Sequence, residues 1–196
     1  MILALSGGKH SGKDTFFKSI KEDYSEYFSF VEKKFSYNMK LCACIVLGIT
    51  MEQIEDQTFK ETILPEFGIT PRNFLDELGT SFGRKYLCEK FPLFKETVGE
   101  RIWAMSCTKE AVKESKKDKL VVITDLRFLV EEKELRQCGE PLVIIRINRK
   151  NKIIDMSNQA DNQVPYINAD YEIINEGTDL NKYMEDCKKL FKEIFI

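Results

Sequence analysis

The chain is poor in the residues that build metal clusters and disulfide frameworks. One of its 196 residues is a histidine, His10, and of its six cysteines only Cys42 and Cys44 lie close together. A lone C-x-C pair without a second pair or neighbouring histidines does not make a zinc site. Cys107 and Cys187 fall on apolar helical stripes, so the cysteines read as free thiols in or near the core. Internal repeats, low-complexity tracts and linkers rich in Gly, Pro or Ser are absent, which leaves one domain large enough for a substantial core. No apolar run is long enough to span a membrane. No secretory signal pattern opens the chain, since a strand and a loop begin at once, so an intracellular, cytoplasmic location is expected. The net charge of −2 lacks the excess of one sign that broad nucleic-acid binding needs, and none is expected.

What is present begins at the first residues. Ile2-Leu3-Ala4-Leu5 reads as a buried strand, and a segment carrying Phe16, Phe17, Ile20, Tyr24 and Tyr27 reads as an amphipathic helix. Between them, Gly7-Gly8-Lys9-His10-Ser11-Gly12-Lys13-Asp14-Thr15 obeys the G-x-x-x-x-G-K spacing of a phosphate-binding loop. Such a loop wraps backbone N–H groups around a phosphate chain, and the following helix adds the positive end of its dipole. Lys13 would bridge the β- and γ-phosphates. The motif's final Ser/Thr, a magnesium ligand, is replaced by Asp14, with Thr15 one place later.

Further apolar runs recur at Leu120-Val121-Val122-Ile123-Thr124, Leu142-Val143-Ile144-Ile145 and Tyr171-Glu172-Ile173-Ile174, with a weaker one around residues 30–35. Runs that are apolar at nearly every position suit strands covered on both faces. Helical stripes lie between them: Phe74, Leu75, Leu78, Phe82; Ile102, Cys107, Ala111; Val130, Leu135; and Leu180, Tyr183, Met184, Cys187, Leu190, Phe191, Ile194. All read as core-facing. The alternation specifies an α/β fold, a parallel sheet with right-handed crossovers that binds ligands at the C-terminal strand ends. The charge run 113–119 reads as a solvated connector.

Three constellations fall where phosphoryl chemistry would need them. Asp125 at a strand end can hold magnesium, and Arg127 can clamp a phosphoryl group; a helix-capping Asp–Arg pair is the alternative. Thr70-Pro71-Arg72 leads to Leu78-Gly79-Thr80-Ser81-Phe82-Gly83-Arg84, where two glycines inside a helical pattern each cost about 1 kcal/mol relative to alanine. Close approach of a ligand or of neighbouring backbone would account for them, and Arg72 and Arg84 could then bind an acceptor phosphate. Arg149-Lys150 opens a mostly polar stretch, 151–168, that reads equally as a lid closing over the phosphoryl group or as an exposed loop.

With these residues in view, the chain resembles the deoxynucleoside monophosphate kinases of phages and large DNA viruses, P-loop enzymes related in fold to adenylate kinase. The shared motifs are Ser6-Gly7-Gly8-Lys9-His10-Ser11-Gly12-Lys13-Asp14-Thr15, Glu55-Asp56-Gln57-Thr58-Phe59-Lys60-Glu61-Thr62, Thr70-Pro71-Arg72 with Leu78-Gly79-Thr80 and Gly83-Arg84, Asp125-Leu126-Arg127-Phe128, and Asn175-Glu176-Gly177-Thr178. The resemblance implies a single kinase domain over 1–196, with five parallel strands flanked by helices, a substrate-binding insertion at about 36–115 and a lid at about 149–169. It implies ATP as phosphoryl donor with Mg2+, and a deoxynucleoside monophosphate as acceptor.

On the same resemblance Gly8, Lys9, His10, Ser11, Gly12, Lys13, Asp14 and Thr15 would hold ATP, with Asn175 and Gly177 near the adenine. Lys40, Arg72, Thr80, Arg84, Trp103, Asp125 and Arg127 would bind the acceptor. Lys13, Arg127 and Arg149 would stabilise the transferring group, and Asp14, Thr15 and Asp125 would serve the metal. The chain departs from its relatives at Met156-Ser157-Asn158-Gln159, where many carry a His-x-Ser-Glu-like element. A viral member would work in the host cytoplasm, as monomer or homodimer. Two alternatives stay open: a phosphomevalonate-kinase-like enzyme, and a module that binds ATP without turnover.

Overall fold

The computed structural model describes residues 1–150 and 161–196. In chain order its elements are β1 (Ile2–Ser6), α1 (Lys13–Tyr24), β2 (Phe30–Lys33), α2 (Tyr37–Leu47), α3 (Met51–Glu55), α4 (Gln57–Lys60), α5 (Pro71–Asp76), a π-helical segment (Glu77–Tyr86), α6 (Leu87–Lys90), α7 (Pro92–Thr97), α8 (Ile102–Ser115), β3 (Leu120–Leu126), α9 (Leu129–Gln137), β4 (Leu142–Arg149), β5 (Tyr171–Asn175) and α10 (Leu180–Phe195). Short 3-10 turns lie at Gly99–Arg101 and Asp161–Tyr166. The described chain forms two compact units, residues 1–34 with 108–196, and residues 35–107. Among the described residues no helix is long and apolar enough to cross a membrane.

The first unit is built on a five-stranded sheet of order β2-β3-β1-β4-β5, parallel throughout. This is the α/β architecture expected from the alternating pattern. Ile2 lies between Val121 and Leu142, and Ala4 between Ile123 and Ile144, so the three most apolar runs form the sheet's centre. Every residue of β1 is fully buried, which is why that strand tolerates no polar alternation. Its pattern is legible for the same reason that β2 is faint: β2 is a half-buried edge strand. On one face Phe16, Phe17 and Ile20 of α1 and Tyr183, Cys187 and Phe191 of α10 pack over Leu3, Leu5 and Val122.

The chain leaves β1 toward β2 on one side and leaves β3 toward β4 on the other. The loops after β1 and β3 therefore part at the C-terminal edge of two neighbouring strands, the switch point where open α/β sheets bind ligands. A buried carboxylate sets the second loop: Glu131 of α9 accepts the backbone N–H groups of Arg127 and Phe128, both at 3.0 Å.

The second unit has its own small core of Ala43, Cys44, Ile54 and Leu75, flanked by Met39, Ile49, Met51, Phe74 and Leu78. Thr70 caps α5 through the Asn73 N–H, with Pro71 in the first turn. The next turns differ from a regular amphipathic helix. Residues 77–86 wind as a π-helix, whose wider turn moves Phe82 off the apolar stripe. Phe82 is 48% exposed and stacks on Tyr86, with ring centroids 5.9 Å apart. Leu180 likewise leaves its stripe, standing exposed in the first turn of α10.

Candidate functional site

The loop of residues 7–12 is held by its carbonyl groups. Lys13, the first residue of α1, folds its Nζ back to donate to the Gly7 carbonyl at 2.7 Å and the Gly8 carbonyl at 2.8 Å. Arg149, at the end of β4, donates Nη1 to the His10 carbonyl at 2.8 Å. Asn175, at the end of β5, donates Nδ2 to the Ser11 carbonyl at 2.9 Å, and the Tyr183 hydroxyl of α10 donates to the Gly12 carbonyl at 3.1 Å. With these carbonyls tied back, the backbone N–H groups are the loop's material for an anion-binding nest, and two of them already donate: Lys9 to Asp161 Oδ2 and Ser11 to the Gly8 carbonyl, both at 3.2 Å. Gly12 must be glycine for two reasons. Its φ of 114° is left-handed, and a Cβ there would lie 2.7 Å from Asn175 Nδ2 and 2.9 Å from the Tyr183 ring and hydroxyl.

Burial of Lys13, and secondarily the Arg127 guanidinium nearby, lowers its ammonium from the usual 10.5 to about 8. Asp14, Asp161 and Asp125 oppose that shift through their charges, so three carboxylates and a second cation surround the lysine. A phosphate anion arriving here would favour the charged ammonium. Asp14 is 84% exposed with Lys34 at 3.8 Å, while Thr15 and Asp125 are half-buried. Arg127 sets Nη1 3.4 Å from Asp161 Oδ1, and its buried Nε has no hydrogen-bond partner among the described residues.

Tyr183 and Cys187 form the loop's support. Burial first, and the adjacent Cys187 next, push the Tyr183 phenol above its ordinary value, so it remains a neutral donor; burial pushes the Cys187 thiol up to about 12. The sequence places Tyr183 only on an apolar stripe, and nothing in that stripe separates a core tyrosine from one that braces a loop. Tyr183→Phe removes one donor from a carbonyl that also accepts the Phe16 N–H at 2.8 Å. We expect a stability loss of about 1 kcal/mol in urea unfolding, with the far-UV spectrum unchanged.

Asn175, which the resemblance places near an adenine, is a buried brace of the loop. Its amide is spent on Ser11, and its Oδ1 accepts the Gly177 N–H at 3.0 Å in an Asx turn. Gly177 lies against the Arg149 guanidinium, which a Cβ there would approach to 3.3 Å. The lid expected at about 149–169 includes 151–160, Met156-Ser157-Asn158-Gln159 among them, which lie outside the described residues.

In the second unit two of the cations expected to bind an acceptor are paired with carboxylates. Lys40 pairs with Glu55 at 2.7 Å and Arg72 with Glu61 at 3.0 Å. Both glutamates come from the run of residues 55–62, which gives that run a physical role as counter-charge. Thr80 and Arg84 are half-buried on the π-helical segment. Its glycines answer to close packing of side chains: a Cβ on Gly79 would lie 2.6 Å from Met39 Sδ, and one on Gly83 2.8 Å from Trp103 Nε1. Trp103 donates that N–H to the Gly79 carbonyl at 3.1 Å, so its indole is tied to the helix it packs on.

A parallel sheet of this order, with a glycine-rich loop closed by a lysine between β1 and α1, defines a P-loop fold. Over 181 residues the chain is 28% identical to a protein of Acanthamoeba polyphaga mimivirus named "Putative deoxynucleotide monophosphate kinase", covering 89% of this chain and 86% of that one. No family model matches the chain. Among solved structures it is similar to a sugar kinase from Janibacter sp. HTCC2649, at 12% identity and a TM-score of 0.47, over 98% of this chain and 92% of the other. A shikimate kinase from Acinetobacter baumannii aligns at 12% identity and a TM-score of 0.44, over 100% and 94% of the two chains.

Proposed function

We propose that the protein is a kinase that transfers the γ-phosphoryl group of ATP to the phosphate of a deoxynucleoside monophosphate. The observation that carries this reading is the loop of residues 7–12 with its carbonyls tied back, beside Lys13, Asp125 and Arg127. Similarity to the mimivirus protein over most of both chains supports the choice of acceptor.

In this reading an oxygen of the acceptor phosphate attacks the γ-phosphorus in line. The bond from that phosphorus to the β,γ-bridging oxygen breaks, and ADP leaves with the bond's electrons. No covalent enzyme intermediate is needed, so the protein works by positioning and charge neutralisation. Residues 8–15 hold the triphosphate, with Asn175 and Gly177 contributing through the shape of the loop. Lys13, Arg127 and Arg149 offset charge on the transferring group. In the second unit Lys40, Arg72, Thr80, Arg84 and Trp103 are the acceptor-binding candidates; in the first, Asp125 and Arg127 serve the acceptor's phosphate.

Asp14, Thr15 and Asp125 offer hard oxygen donors around Lys13, a set that suits the magnesium accompanying ATP. Among the described residues no group of three or more His, Cys, Asp or Glu could hold a metal ion; in this reading phosphates and water complete the magnesium's coordination. When bound, magnesium neutralises phosphate charge.

Arg84→Ala separates transfer from mere binding. We expect ATP affinity within about twofold of the unmodified protein and turnover reduced by about a hundredfold or more, measured by equilibrium binding and coupled ADP release. A module that only binds ATP would have no turnover to lose.

A further inference from the structure

One carboxylate already occupies part of the phosphate loop's recognition surface. Asp161 directs Oδ2 to the Lys9 backbone N–H at 3.2 Å and Oδ1 to Arg127 Nη1 at 3.4 Å. Its side chain is only 6% exposed, and a Cβ built on Gly8 would sit 3.5 Å from the same Oδ2. Lys13 also feels its charge. Burying a carboxylate is costly unless charge and donors compensate it. Here a phosphate-loop amide, the Arg127 guanidinium and the phosphate-loop lysine compensate it, the same kinds of group that recognise a phosphoryl oxygen.

Both contacts are long for charge-assisted bonds, which run to about 2.7–2.9 Å. Asp161 therefore keeps these groups compensated without satisfying them fully. A phosphoryl group brings more negative charge and more acceptor oxygens than a carboxylate to the same donors, so it can displace Asp161.

We propose that Asp161 is a resident anion of the loop: it orients the Lys9 amide and Arg127 while no nucleotide is bound, and a nucleotide phosphate displaces it. The inference rests on the reading of the loop and Arg127 as phosphate-binding groups. Its consequence is a self-imposed competition. The loop stays ordered when empty, and nucleotide affinity is reduced by the fraction of molecules in which the carboxylate is seated. Neutralising the carboxylate while keeping its shape should relieve that competition.

The test is calorimetric titration of tripolyphosphate, in magnesium-free buffer containing EDTA, into the full chain and into Asp161→Asn, Arg127→Met and the double variant. The expected result is about tenfold tighter binding for Asp161→Asn than for the unmodified protein, shrinking to about twofold or less when Arg127 is already methionine. Weaker or unchanged binding in Asp161→Asn, with the unmodified protein still binding, overturns the resident anion and leaves the kinase reading standing. A full tenfold gain in both backgrounds also overturns it, because the carboxylate would then act only through its field. If neither tripolyphosphate nor ATP binds the unmodified protein, the phosphate-loop reading fails and this inference with it.

A second measurement needs no substitution. The Asp161 carboxyl 13C resonance of the unmodified protein should move to the position of a solvated aspartate as tripolyphosphate saturates. A resonance that stays fixed at saturation overturns the proposal.

Discussion

Lys13→Ala should lower turnover by about a thousandfold or more while leaving the fold intact. The ammonium sits at the first turn of α1 and is 5% exposed, with Nζ on the Gly7 and Gly8 carbonyls. Burial holds it below its ordinary range, at about 8. Two opposing effects act on stability. Alanine leaves two carbonyls without that donor, and it also removes a desolvated cation that the fold has to accommodate. Their partial cancellation is why the fold should survive. Kinetics with saturating ATP and acceptor, beside thermal unfolding of both proteins, separates the chemical loss from the structural one. A variant that keeps a tenth of the activity would remove Lys13 from the transfer step.

Gly12→Ala should act through the backbone, with a smaller but still large effect. The left-handed φ of 114° costs an alanine about 1–3 kcal/mol, and its methyl would also press on Asn175 and Tyr183. Both neighbours are themselves loop supports, through Ser11 and Gly12. They cannot yield without releasing the carbonyls they hold, so the loop moves instead. A displacement of about 1 Å at such a site costs on the order of a hundredfold in rate, and we expect that loss together with a lowered unfolding midpoint. Unchanged activity would mean that the loop tolerates a different path and that its bracing is incidental.

The strands and the loop were legible because their signals are local. β1, β3 and β4 are apolar runs whose residues end up in the sheet's centre, and G-x-x-x-x-G-K names its own spacing. The supports of the loop were less legible because they are tertiary. Tyr183 shares a helical stripe with ordinary core residues, and Asn175 reaches Ser11 across 164 positions of sequence. Asp161 stands in a polar stretch with no periodicity to single it out. The π-helical segment is invisible for another reason. Residues 77–86 carry a stripe that reads with an ordinary helical period, and only the glycine pair, at 79 and 83, hints that something must pack closely there. The pairing of Lys40 with Glu55 and of Arg72 with Glu61 was likewise hidden, since the run 55–62 matches a family motif without disclosing what its acids do.

Phosphorus NMR of the purified protein with ATP, magnesium and, in turn, dTMP, dGMP, dCMP, dAMP, UMP and phosphomevalonate tests the central claim most directly. The expected record is loss of the ATP γ signal with matching growth of ADP and of a deoxynucleoside diphosphate, in at least one deoxynucleotide sample and absent with Lys13→Ala. Transfer to phosphomevalonate alone, or ATP that binds yet remains intact with every acceptor, would contradict it.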